Sequence, residues 1–413
     1  MRFLANSLAL LSLLAARDDP AARPPVSTLP TPGTPAQNAA ALQRVFARGG
    51  ATTVTMPAGT YELPCGTSLR AAGSLSLIGA GMGRTVLRLE RACLLDGPVM
   101  AWISKSGVRL SGFTIDLNNS RSVSRQDILR FHAYEGDARG LQVDHVAILR
   151  GNTLSIQIAV AAAGGFTYSG VVLDSNRLEM TPGRSQNQCI GLTTVNNQGR
   201  IPGARITNNI CRGSGIQTDG EGTLVAGNDV SGYQFGTGIF TAFVTKTDSP
   251  SVDGPSSRGC IVRDNVIHDT GQTLDVNRTA TGGIENNCVD ALVENNRATN
   301  LGGPGFVNFA NGTRYIGNSA TAVGYMGTGS SLGDADGAAF VAFESSTGFP
   351  WYRSSGLIFE RNTARPHGGR PRYGYSEEPY HLFNSTLAGN SFEGSERALV
   401  VQSPNCRTAP VRC

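Results

Sequence analysis

Residues 201–238 read IPGARITNNICRGSGIQTDGEGTLVAGNDVSGYQFGTG, and they say nearly the same thing twice. A short β-prone run (Ala204, Arg205, Ile206, Thr207) meets Asn208 and Asn209, then comes a small apolar step and a glycine-rich bend. A second run follows from Gly215 to Asp219, and the pattern restarts at Thr223 and reaches Asn228. Strands this short cannot bury an apolar face alone, so the unit is stable only when stacked on copies of itself.

The copies are present. Runs that close on asparagine recur at Asn152, Asn176, Asn208, Asn228, Asn265, Asn295, Asn318, Asn362 and Asn390. The spacing is a minimum with extra length added at some steps, as expected for coils of fixed core and variable loops. Asparagine suits the bend because it tolerates left-handed backbone angles and hydrogen-bonds locally. Stacked asparagines also bond to one another. The pattern predicts a parallel β-helix.

Residues 41–43 (ALQ), 53–61 (TVTMPAGTY) and 74–89 (SLSLIGAGMGRTVLRL) fit that prediction. Thr34 is placed as an N-cap, Pro35 as the first helical residue, and Leu42, Val45 and Phe46 at helical spacing. A short helix followed by this strand pattern resembles the entry to secreted, right-handed parallel β-helix proteins of the pectin lyase-like superfamily. The resemblance implies an all-β, single-domain fold with an N-terminal capping helix, and an exported protein that acts on polysaccharide. An uncapped end would expose apolar core and unpaired strand edges.

Domain organisation follows. Residues 1–16 have a positive start and an apolar core too short to span a bilayer, which predicts a secretory signal. Leu14, Ala15 and Ala16 precede Arg17 where a lipoprotein would carry its acylated cysteine, so no lipid anchor forms there. Residues 17–35, rich in Pro and Ala, read as an extended linker, and 36–413 as the β-helix. The protein is expected to be secreted or periplasmic, or held at the cell surface, with no membrane span after signal removal. A monomer is expected. A net charge of +4 without a basic run argues against nucleic acid.

Eight cysteines suit an exported chain. In a coil, residues one turn apart become neighbours, which predicts Cys65–Cys93, Cys189–Cys211, Cys260–Cys288 and Cys406–Cys413. The alternative is a column of buried free thiols.

Chemistry is expected on the outward positions of the run after the bend, where side chains alternate. With Ile216 and Thr218 inward, Gln217 and Asp219 face out, and Glu221 follows on the same side if the strand persists past Gly220. Neighbouring turns add Arg130, His132 and Glu285. Asp219 and Glu285, two turns apart, would stand about 10 Å apart at the backbone. Their side chains could then reach the separation of roughly 6.5–9.5 Å that suits an inverting glycosidase. Thr218, Asp219 and Gly220 resemble part of a polygalacturonase motif, with Gln217 where that family has Asn, but the family's other motifs are missing.

A polysaccharide lyase is the second enzymatic option: Arg130 or His132, with Lys246, would take the proton beside a uronate carboxylate. Cofactors are not expected, except that a lyase would draw Ca²⁺ between Asp219 or Glu221 and a uronate. Extra length falls at 120–139, 181–200, 244–258, 324–336 and 349–379. The last insert carries Trp351, Tyr352, Arg353, Arg372 and Tyr373, side chains that stack on sugar rings or fork onto carboxylates. Equally, those aromatics pack onto the coil. A non-catalytic β-helix that binds glycan or forms a stiff rod is the competing function.

Overall fold

The computed structural model describes residues 26–122, 127–151, 156–181, 188–195, 198–232, 237–241, 257–270, 282–324, 337–342, 355–367, 371–377, 385–395 and 397–400. They form one helix and a stack of parallel strands. Each turn carries up to three strands. The first and second belong to a 22-stranded sheet, joined where Val108–Asp116 and Ala138–Gly151 run round the corner, and the third belongs to a 12-stranded sheet. The fold is a parallel β-helix, as the repeats require.

Register fixes the interior. On the first face Val143 lies against Leu173, Leu173 against Ile206, and Ile206 against Val225, all buried. On the third, Leu129, Ile158, Ile190, Ile216, Ile239 and Ile284 form the matching column. Shifting one strand by one residue would turn its whole apolar set outward, so the columns lock the stack.

The corner between the first and second faces holds the asparagine ladder. Asn228 donates from Nδ2 to the Ile206 carbonyl one turn back and to Asn265 Oδ1 one turn on, each at 2.9 Å, and Asn209 donates to its Oδ1. The same arrangement links Asn176, Asn209, Asn228, Asn265, Asn296, Asn318, Asn362 and Asn390. Two positions expected from sequence shift by one. Asn208 and Asn295 take the left-handed bend itself, with φ of 56° and 54°, and the next asparagine turns inward. Asn152 lies outside the described residues.

The helix Pro35–Phe46 caps the coil as expected. Thr34 and Gln37 form a reciprocal capping box, and Leu42, Val45 and Phe46 are buried, with Phe46 5.4 Å from Trp102 between ring centres. The stretch read as a linker is in part structured: Val26–Thr28 pairs with Thr53–Thr55 of the next strand, and Leu29 is buried. No helix among the described residues is long and apolar enough to cross a membrane.

Cys65–Cys93, Cys189–Cys211 and Cys260–Cys288 are bonded, with Cα–Cα distances of 5.3, 5.9 and 6.1 Å. The column of free thiols is thereby excluded for these six. Cys406 and Cys413 lie outside the described residues.

Candidate functional site

The outer face of the third sheet collects the polar side chains. In Leu129–Ala133, Leu129, Phe131 and Ala133 are fully buried, and Phe131 stacks on Trp102 at 5.1 Å. Alternation therefore sends Arg130 and His132 outward, and Tyr134 continues the row. Arg130 Nε donates to Asp127 Oδ2 at 2.9 Å, and His132 Nε2 lies 3.6 Å from the same oxygen. The His132 and Tyr134 rings pack at 4.4 Å between centres. Burial and the Asp127 charge raise the Tyr134 pKa, against the opposing pull of Arg130, so the phenol keeps its proton at neutral pH.

Down the stack Arg130 is followed in register by Ala159, Gly191, Gln217, Phe240 and Glu285. Five strand steps put Glu285 about 24 Å from Arg130 at the backbone. The middle of this column is closed: Ala159 is buried, a Cβ at Gly191 would lie 2.8 Å from Ile156 Cδ1 and 2.9 Å from Gln188 Oε1, and Gln217, expected to face out, is 9% exposed. Gln188 Nε2 contacts Gln217 Oε1. Glu285 is half-buried: Thr237 Oγ1 donates to it at 3.0 Å and Asn287 Nδ2 at 3.3 Å, while burial raises its pKa. Its backbone is set by Gly283, where a Cβ would lie 2.4 Å from the Gly305 carbonyl oxygen.

The expected carboxylate pair is not there. Asp219 is 1% exposed and points into the coil, where Thr194 donates to its Oδ2 from N at 2.8 Å and from Oγ1 at 2.9 Å. The strand ends at Thr218, and the chain turns at Gly220, whose Cβ would lie 2.4 Å from the Ile201 carbonyl oxygen. Alternation stops one residue too early for Asp219 to face out. Burial pushes its carboxyl up to about 8, against the two Thr194 hydrogen bonds. Glu221 lies past the corner, exposed, and pairs with Arg200 at 2.7 Å.

Tyr373 also departs from expectation. It begins the strand Tyr373–Glu377, is 8% exposed and packs on Val307, Ala338 and Val341, with Arg372 5.3 Å from its ring centre. Two outward positions after Glu285, Val307 and Val341, thus lie in an apolar cluster separate from the core. Trp351, Tyr352, Arg353 and Lys246 fall outside the described residues. His145 and His268 bond to neighbouring aspartates, Asp144 at 3.2 Å and Asp269 at 2.7 Å, and His268 Nε2 also lies 3.0 Å from Asp229 Oδ1 on the preceding turn. Among the described residues the one close group of three metal-ligand types is Cys65, Glu90 and Cys93, whose two sulfurs are bonded to each other.

Tyr134 and Asp127 were missed by sequence reasoning. The alternation in LRFHAY (129–134) carries the signal for Tyr134, but the stretch reads as an insert. Asp127 precedes the strand and has no periodic signal.

No protein-family model matches the chain, and no curated protein matches its sequence. Solved structures do match its shape. The A-module of mannuronan C-5 epimerase AlgE6 from Azotobacter vinelandii is 17% identical with a TM-score of 0.54, covering 91% of this chain and 93% of that one. The catalytic unit of a GH87 alpha-1,3-glucanase from Streptomyces thermodiastaticus is 15% identical with a TM-score of 0.51, covering 92% and 71%. Tailspike protein 3 of bacteriophage CBA120 is 11% identical with a TM-score of 0.52, covering 89% and 57%. The chain thus shares the parallel β-helix fold of these proteins. At these identities the likeness concerns fold.

Proposed function

We propose that this protein is a polysaccharide-acting enzyme that removes the proton beside the carboxylate of a uronate unit. The observation that carries the reading is the outward row Arg130, His132 and Tyr134 on one strand, with Asp127 behind it. His132 takes the C-5 proton as general base. Arg130 meets the uronate carboxylate and holds the charge that develops as C-5 becomes an enolate. Tyr134, kept protonated, is the general acid. If Tyr134 protonates the departing glycosidic oxygen, the C4–O bond breaks and a C4=C5 double bond forms, which is a lyase. If it returns a proton to the opposite face of C-5, the sugar is epimerised.

Both outcomes share the first step, and the likeness to a mannuronan C-5 epimerase module supports it. A hydrolase acting through Asp219 and Glu285 loses support, because one of the two carboxyls is sealed inside the coil. Three disulfides support work outside a reducing cytosol.

The test is incubation with a panel of uronate-containing polysaccharides in deuterated water. The expected result is either deuterium at C-5, which marks epimerisation, or the ultraviolet absorbance of an unsaturated uronate, which marks elimination, and either is lost in His132→Ala and Tyr134→Phe. New reducing ends with neither C-5 deuterium nor an unsaturated uronate would make the protein a hydrolase. Binding without any product would favour a glycan-binding rod.

A further inference from the structure

The outward column does not end at the reacting row. Glu285 stands five strand steps further on, in the same outward column as Arg130 and Gln217. Its carboxylate is held by two neutral donors, the Thr237 hydroxyl and the Asn287 amide, and no ion pair to it is present among the described residues. Beyond it the face turns apolar at Val307, Val341 and Tyr373, which makes Glu285 the last polar group before a wall.

A carboxylate in this setting accepts hydrogen bonds from sugar hydroxyls. It also repels another carboxylate. Two such charges about 6 Å apart at a protein surface cost on the order of 100-fold in affinity. Arg130, about 24 Å away, has the opposite preference. The two ends of this outward column therefore ask for different sugars.

We infer that Glu285 and Thr237 form a distal subsite for a neutral, hydroxyl-bearing sugar. The substrate is then a heteropolysaccharide that contains both uronates and neutral units, not an uninterrupted polyuronate. The inference rests on the reading of Arg130 and His132 as the uronate site only for this last step. The neutral subsite itself can be measured without turnover.

The experiment is calorimetric binding to the folded His132→Ala protein, so that no ligand is consumed. The probes are neutral gluco-, manno- and galacto-oligosaccharides and homo-oligouronates of matched length. At least one neutral series should bind, and Glu285→Ala should weaken it by about 10-fold, the loss of one or two charge-assisted hydrogen bonds. Glu285→Gln keeps an acceptor and removes the charge, so it should retain most neutral binding and strengthen oligouronate binding by about 10–100-fold. Unchanged binding of both ligand classes in both variants would overturn the subsite, as would failure of every neutral series to bind. Loss of C-5 exchange activity alone would not touch it, and neutral binding alone would not rescue the reaction.

Discussion

Replacing Asp219 by Asn should stabilise the fold, and by an amount that depends on pH. Burial pushes the Asp219 carboxyl up to about 8, whereas in the unfolded chain it titrates near about 3.9. Between those values the folded chain holds one proton more than the unfolded one. Stability therefore falls as pH rises, by about 1.4 kcal/mol per pH unit from this group alone. Its contribution is complete below about pH 4, declines through the interval, and stops changing above about pH 8. Asparagine can keep Oδ1 where Oδ2 accepts from Thr194 N and Oγ1, and places its NH₂ where Oδ1 has no partner. It thus resembles the protonated acid in what it leaves unpaired.

Parent and Asp219→Asn should be about equally stable near pH 4 and differ by about 4 kcal/mol at pH 7. Urea denaturation at several pH values, with disulfides intact and followed by intrinsic fluorescence, measures the difference. If the two proteins lose stability in parallel as pH rises, the carboxyl is not held neutral in the interior and the reasoning fails. Catalysis should survive the change, since Asp219 is buried inside the coil and bonded to Thr194.

Other outcomes follow from the same contacts. Asn296→Ala removes bonds to the Val262 carbonyl, Asn318 and Asn265 and should cost roughly 3–5 kcal/mol, while Asn295→Gly at the left-handed position should cost less than about 1 kcal/mol; comparing denaturation midpoints separates the two. Replacing Cys260 and Cys288 together by Ser opens a loop of 28 residues and should lower stability by roughly 3 kcal/mol, measured by calorimetry without reductant. Tyr134→Phe should reduce turnover by about 10²–10⁴-fold with little change in thermal midpoint, because the ring packing against His132 stays.

The fold was readable because its signal is repeated: β-runs closing on asparagine recur along the chain, and the disulfides among described residues join cysteines one turn apart. Single positions were less readable, and for local reasons. In Asn208–Asn209 and Asn295–Asn296 two adjacent asparagines suit a bend equally well by composition. Only the stacked carbonyls of the previous turn decide which one faces in. Asp219 was misplaced because strand alternation was carried one residue beyond Thr218, past a corner that only the close approach of Gly220 to Ile201 reveals. Tyr373 was read as part of a sugar-facing insert, yet it belongs to a strand, since its pairing partner Ala338 lies 35 positions away and leaves no local trace.

The shortest step in the asparagine ladder, 19 residues from Asn209 to Asn228, contains every element that one coil needs. A segment of that size is one complete repeat, stable only between neighbouring coils. Gene duplication or loss of such a repeat would lengthen or shorten the outward wall by one strand spacing, about 4.8 Å, and leave the row Arg130, His132 and Tyr134 untouched.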